Sequence, residues 1–247
     1  MPKKPFKPKA RGPAYYVERV KNKINLQREK FDANVKYLQR KNITWVKDRS
    51  YFDYNSFFYQ ALGTTIVEAL AKMQRKKGKP LIILEDGSGT GRALEELKLR
   101  LLEKKVPNKT IALSLFPDDA LMARKAGGKI DEVIIGPAEH YVPKKPVDAI
   151  ISTRGSIAYT APFIRKDHLL KFAYSLKKGG IMMVNFEVPK ELKPTKKESF
   201  SIQFKKIDFQ STLKGIERAF EKRGFKAKFY PQTETLNTYI LIVRRIK

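Results

Sequence analysis

Residues Leu81 to Gly91 read LIILEDGSGTG. Four apolar residues open the stretch, the length of a short buried strand. Two carboxylates follow, Glu85 and Asp86, and then Gly87, Gly89 and Gly91, separated only by Ser88 and Thr90. Downstream, Ala93, Leu94, Leu97, Leu101 and Leu102 fall on one face of a helix. Strand, glycine turn and helix start make the nucleotide-binding corner of an open α/β sheet. Glycine lets a ligand approach the backbone there, beyond the carboxyl end of the strand.

The glycine spacing narrows the ligand. A dinucleotide turn needs a third glycine at position 92, which is Arg92, and a phosphate-binding Walker loop needs a Gly-Lys-Ser/Thr ending, which is absent. The pattern acidic-x-Gly-x-Gly-x-Gly resembles motif I of the class I S-adenosylmethionine (SAM) methyltransferases from Glu85 to Gly91. SAM carries no phosphate, and carboxylates near the turn favour its ammonium and sulfonium centres. The resemblance implies that Glu85, Asp86, Gly87, Ser88, Gly89 and Gly91 surround the methionine part of SAM. It puts the ribose at the end of strand two, at Ser114 and Leu115, with Asp118 or Asp119 as alternative acids. It puts the adenine at Pro137-Ala138-Glu139, with Ala138 and Glu139 at the ring. The methyl acceptor then belongs at Ser152, Thr153 and Arg154, which stand as candidate catalytic residues.

The remaining sequence continues the alternation. TIALSL (110–115), DEVIIG (131–136), VDAIIST (147–153) and IMMVNF (181–186) read as strands. PDDALMARKAGG has a helix start and stop, KDHLLKFAYSLKKGG (166–180) reads as a helix ended by its glycines, and STLKGIERAFEKRG (211–224) as another. FKAKFYPQ and NTYILIVRR close the chain as an antiparallel pair. This succession resembles the class I methyltransferase fold, which implies an α/β architecture: a seven-stranded, mostly parallel doubly wound sheet with a terminal β-hairpin, here with an N-terminal helical extension. The SAM-binding domain is expected over 57–247, with a basic insertion at 187–210. A helical and aromatic extension is expected over 14–56, and a flexible basic arm over 1–13.

Composition sets the partner. The chain of 247 residues carries 52 Lys and Arg against 25 Asp and Glu, a net charge of +27. That excess is the footprint of a polyanion, with RNA, ribosomal RNA above all, as the expected partner. Cysteine is absent, so the thiol-addition route to C5 of a pyrimidine is closed; displacement by a nitrogen or oxygen nucleophile stays open. Two histidines, His140 and His168, do not build a metal site, and no metal is expected. No apolar run reaches the roughly 20 residues of a membrane helix, and the first residues lack the apolar core of a secretory signal. A cytoplasmic protein with no membrane partner is expected, and the high Lys and scarce His hint at a thermophilic source.

Candidate RNA contacts lie outside the turn. The arm MPKKPFKPKARGP supplies Lys3, Lys4, Lys7, Lys9 and Arg11, and the insertion supplies Lys196 and Lys197. Residues 15–41 read as a helix with Arg19, Lys23, Arg28, Lys30 and Lys41 opposite its apolar face; that face meets RNA or is simply a wet side. Within TWVKDRSYFDYNSFFY (44–59), Tyr51 and Tyr54 are candidates to stack on a base or close over the cofactor. Phe57, Phe58, Ala61, Leu62, Ile66, Leu70 and Met73 continue one apolar helical face. Together these readings give a SAM-dependent RNA methyltransferase that acts on a base nitrogen, an exocyclic amine included. Two alternatives stand beside it. One is a protein or small-molecule methyltransferase. The other is a methyltransferase-like RNA-binding or ribosome-assembly factor without activity.

Overall fold

Alternating short apolar runs and amphipathic stretches can hide their apolar surface only by stacking helices on both faces of a sheet. The computed structural model of the chain does this, and describes residues 12–33, 36, 50–125, 129–153, 162–187, 209–233 and 238–247. The elements run α1 (Pro13–Leu26), α2 (Tyr51–Leu62), α3 (Ile66–Lys77), β1 (Leu81–Asp86), α4 (Arg92–Glu103), β2 (Asn108–Ser114) and α5 (Pro117–Lys125). They continue β3 (Glu132–Ile135), β4 (Val147–Ser152), α6 (Pro162–Tyr174), β5 (Leu176–Glu187), α7 (Phe209–Glu221), β6 (Phe225–Thr233) and β7 (Thr238–Arg245).

The seven strands form one sheet in the order β3-β2-β1-β4-β5-β7-β6. β1 runs parallel to both β2 and β4, and β7 lies antiparallel between β5 and β6. The chain winds outward from β1 in one direction and from β4 in the other, so the crevice beyond their carboxyl ends is the topological switch point. Strand alternation sends Leu81 and Ile83 into a core with α2, α3 and α4, and Leu84 into a core with α1, α6 and α7.

Four sequence readings change. The apolar face from Phe57 to Met73 is two helices: Gly63 closes α2 at φ 67° and Thr65 caps α3 by accepting from the Glu68 amide at 3.2 Å. The helix expected over 15–41 breaks at Gln27 (φ −133°, ψ 42°), with helical residues resuming at 28–33. The segment LKKGG is the start of β5 and not the end of a helix. Leu176 pairs with Val147 there, and a Cβ on Gly180 would sit 2.8 Å from the Lys177 carbonyl and 3.0 Å from that of Asp148.

Tyr51 and Tyr54 are core residues. Each lies in the same cluster as Phe58, Leu70 and Leu97, and neither presents a free ring to a base. The Tyr51 amide donates to Glu96 at 2.7 Å, and Arg100 stands 4.5 Å from the Tyr51 ring centre. Burying an aromatic side chain of this kind stabilises by about 1.5–3 kcal/mol, so apolar surface outweighs any stacking role. Position 57 therefore falls inside α2, which packs as part of the main core.

The N-terminal helix is also packed. Val20, Ile24 and Phe31 form a cluster with Ile164, and Tyr16 stacks on Tyr174 at 5.2 Å between centroids. Its basic face points at α6: Arg19 and Lys23 pair with the buried Asp167 at 3.2 and 2.6 Å. Arg28 donates to Asn25 at 2.7 Å. Lys3, Lys4, Lys7, Lys9, Arg11, Lys41, Lys196 and Lys197 lie outside the described residues.

Candidate functional site

The turn after β1 is built by backbone that only glycine adopts readily. Gly87, Gly89 and Gly91 have φ of 72°, 56° and 79°. The amides of Gly87 and Ser88 both donate to the Leu113 carbonyl, at 2.9 and 3.0 Å, which pins the turn to the end of β2. Gly91 is the most constrained: a Cβ there would lie 2.6 Å from Ile130 and 2.9 Å from Ala123. It also stands at the N-cap of α4, where its carbonyl accepts from Glu95 at 2.9 Å. At these three positions the turn thus presents backbone without a side chain, next to the helix N-terminus.

Beneath it lie the two carboxylates, both fully buried. Consecutive strand residues face opposite ways, so Glu85 points toward the α4 side and Asp86 toward the α6 side. On that side Ser152, the last residue of β4, donates its hydroxyl to Asp86 Oδ2 at 2.9 Å. The bond ties the ends of the two strands that flank the switch point.

Lys171 completes this group, and sequence reading missed it. It lies on α6 with no exposed surface and donates through Nζ to the Ala138 carbonyl and, at 3.2 Å, to that of Glu139. Burial pulls its pKa down to about 7, while the negative charges of Glu139 and Asp86 work the other way. Its ammonium rests 4.4 Å from the Phe172 ring centre. The only signal in the sequence was a lysine inside LLKFAY, whose other positions suit a buried helix.

The Pro137–Tyr141 loop that Lys171 holds is a tight turn. His140 N donates to the Pro137 carbonyl at 3.0 Å and Tyr141 N to that of Ala138 at 3.2 Å. Ala138 and Glu139 are buried, and Phe31 meets the His140 ring edge-on at 6.1 Å. Burial raises the Tyr141 hydroxyl to about 12. His168, one turn before Phe172 and fully buried, is held well below the ordinary histidine range by desolvation and by the charge on Lys171.

At the end of β2, Ser114 is buried and gives its hydroxyl to the Phe116 carbonyl at 3.3 Å. Leu115 is half-buried, Asp119 is buried and Asp118 is exposed in the first turn of α5. Thr153 is buried beside Ser152, and Arg154 lies outside the described residues. The structure thus brings Glu85, Asp86, the three glycines, Ser114, Ala138, Glu139 and Ser152 to one end of the sheet. Among the described residues no group of three or more His, Cys, Asp and Glu is placed to hold a metal ion, and no helix is long and apolar enough to cross a membrane.

The donor set suits a cationic, phosphate-free ligand. Its buried carboxylates supply negative charge, three of its turn positions are glycine, and the buried cation Lys171 is occupied by loop carbonyls while Arg92 pairs with Glu96.

No protein-family model and no curated protein sequence matches the chain. Solved structures do. A protein from Listeria monocytogenes assigned to the class I SAM-dependent methyltransferases aligns over 94% of this chain and 69% of its own, with 16% identity and a TM-score of 0.53. The CMeT domain of the citrinin polyketide synthase aligns over 73% of this chain and 51% of its own, with 16% identity and a TM-score of 0.51. The chain has the class I methyltransferase fold.

Proposed function

We propose that this protein is a SAM-dependent RNA methyltransferase, with ribosomal RNA as substrate and a base nitrogen as acceptor. The observation that carries the reading is the glycine turn over buried Glu85 and Asp86, set at the switch point of a chain with a net charge of +27. Gly87, Ser88, Gly89 and Gly91 would border the methionine part of the cofactor, with Glu85 supplying negative charge. Ser114, Leu115, Ala138 and Glu139 would border its nucleoside. When bound, SAM supplies a methyl group activated by its sulfonium centre.

This chain's own contribution is alignment. Displacement at a sulfonium depends largely on bringing nucleophile and carbon together in line, which is worth several kcal/mol of the barrier. Ser152 fixes the Asp86 carboxylate, and because its proton is committed there it acts as a positioning residue and not as an acid. Thr153, buried after the end of β4, stands on the acceptor side. Absence of cysteine leaves no thiol to add to a pyrimidine, which favours direct attack by nitrogen.

Mass spectrometry of nucleosides in RNA from a deletion strain tests the reading. Loss of one methylated nucleoside, restored by the purified protein with SAM, is the expected result. An unchanged nucleoside profile, with methyl transfer to a ribonuclease-resistant acceptor, would point to a protein or small-molecule substrate.

One observation favours a second reading. Ser114 stands where the fold usually offers a carboxylate, and its hydroxyl is spent on Phe116. A methyltransferase-like RNA-binding or ribosome-assembly factor without activity would tolerate that change. Co-purification of SAM or its demethylated product argues against this alternative.

A further inference from the structure

The sheet separates charge along its strands. Its carboxyl ends carry Glu85, Asp86, Asp119 and Glu139. Its opposite edge, where the parallel strands begin, is basic. Lys105 precedes β2, Lys79 precedes β1, Lys145 precedes β4, and Lys178 lies in the opening turn of β5. β7 runs backward, so Arg244 at its end reaches the same edge, paired with Ile181, and Lys222 precedes β6 there.

These six follow the strand order β2-β1-β4-β5-β7-β6, one for each neighbouring strand. At about 4.8 Å per strand they make a row about 25 Å long. All six are exposed, and among the described residues none is in an ion pair. Carboxylates closer to the strands are already neutralised: Asp131 by Lys98, Glu132 by Lys109, and Asp148 by Lys77 and Lys177. Glu68 is paired with Lys104, and Glu103 and Glu221, at the ends of α4 and α7, are exposed carboxylates among the described residues nearby. An unneutralised row of cations repels itself unless a polyanion lies along it.

Resting on the RNA reading above, we infer that this edge is a docking surface for the phosphate backbone of the substrate RNA, remote from the methyl-transfer site. A six-residue strand separates the two ends of the sheet by about 20 Å. A ligand that touches both is therefore longer than a mononucleotide, which fits a folded RNA that wraps one side of the protein. An anionic membrane is disfavoured because the exposed apolar residues at this edge among the described residues, Leu102 and Ile246, stand singly and toward opposite ends of the row.

The test compares wild type with the triple variant Lys79→Glu, Lys145→Glu, Lys178→Glu, and with the milder Lys→Gln triple should the first fail to fold. Binding of a labelled ribosomal RNA transcript is measured across a salt series, beside SAM binding by calorimetry and sedimentation with phosphatidylserine vesicles. The expected result is a loss of RNA affinity of about tenfold or more, a log–log salt slope shallower by about 2–3, and unchanged SAM affinity. Equal RNA affinity in wild type and variants overturns the inference and leaves the RNA reading standing. Wild type that ignores RNA but sediments with vesicles through this edge overturns it in favour of a membrane. Wild type that binds neither removes the RNA reading itself.

Discussion

Ser152 Oγ donates a 2.9 Å hydrogen bond to Asp86 Oδ2, and the bond joins the last residues of β4 and β1 across the topological switch point. Both side chains are fully buried, so neither partner has water as a substitute. Removing the donor leaves a buried carboxylate short of a partner, which costs about 1–3 kcal/mol. Ser152→Ala is expected to lower stability by that amount and to weaken SAM binding. Ser152→Thr, which keeps the hydroxyl, is expected to restore both. Chemical denaturation and calorimetry on the two variants measure this.

Asp86 and Lys171 are expected to behave as a coupled pair. Lys171 feels the negative charge of Glu139 and, less, that of Asp86 inside the same buried site, so removing Asp86 leaves its ammonium less compensated. Lys171→Met and Asp86→Leu should each be strongly destabilising. The double variant should lose at least about 1 kcal/mol less than the sum, because the second change removes the charge that the first exposed. Additive losses would mean that the two do not sense each other.

Stability should depend on pH in three windows. Buried His168 stays neutral in the fold, while the unfolded chain protonates it below about 6.5, so stability falls as pH drops through that value. Lys171 gives up its proton near pH 7 in the fold and near 10.4 when unfolded. Between those values the unfolded chain binds more protons, so stability climbs with pH, by at most about 1.4 kcal/mol per unit for one proton. Tyr141 reverses the slope above about pH 10, where only the unfolded chain ionises it. His168→Leu should flatten the acid limb and Lys171→Met the middle one in denaturation series across pH.

The seven strands were legible because periodicity and length survive in any environment. Their doubly wound order was expected from the resemblance to the class I methyltransferases and is seen as β3-β2-β1-β4-β5-β7-β6. What escaped was set by tertiary surroundings. Nothing near Lys171 in sequence marks it as buried, since its partners are carbonyls more than 30 residues away. Tyr51 and Tyr54 looked available because a hydroxyl allows exposure, but α4 and the sheet cover them. LKKGG has the composition of a helix stop, and β4 instead recruits Leu176 into the sheet. The glycine turn was readable in full, because only glycine meets both its dihedrals and its contacts at Gly91.

Asp167 should prove to be the anchor of the N-terminal helix. It is buried and receives Arg19 and Lys23 from α1. Asp167→Ala leaves both cations without it, while the apolar cluster of Val20, Ile24, Phe31 and Ile164 and the packing of Tyr16 on Tyr174 still hold the helix. Amide exchange over residues 13–26 is expected to rise at least about tenfold, equivalent to about 1.4 kcal/mol, with the sheet unaffected. Unchanged protection in α1 would assign its docking to the contacts of Tyr16, Val20, Ile24 and Phe31 in place of Asp167.

Calorimetric titration of SAM into wild type and into Gly89→Arg bears most directly on the function. Gly89 has φ of 56° at the tip of the turn, where a side chain would occupy the surface left clear for the ligand. Saturable one-to-one binding to wild type, lost in the variant while circular dichroism stays the same, is the predicted result. No binding to wild type, or equal binding to both proteins, would contradict the assignment of this turn as a SAM site.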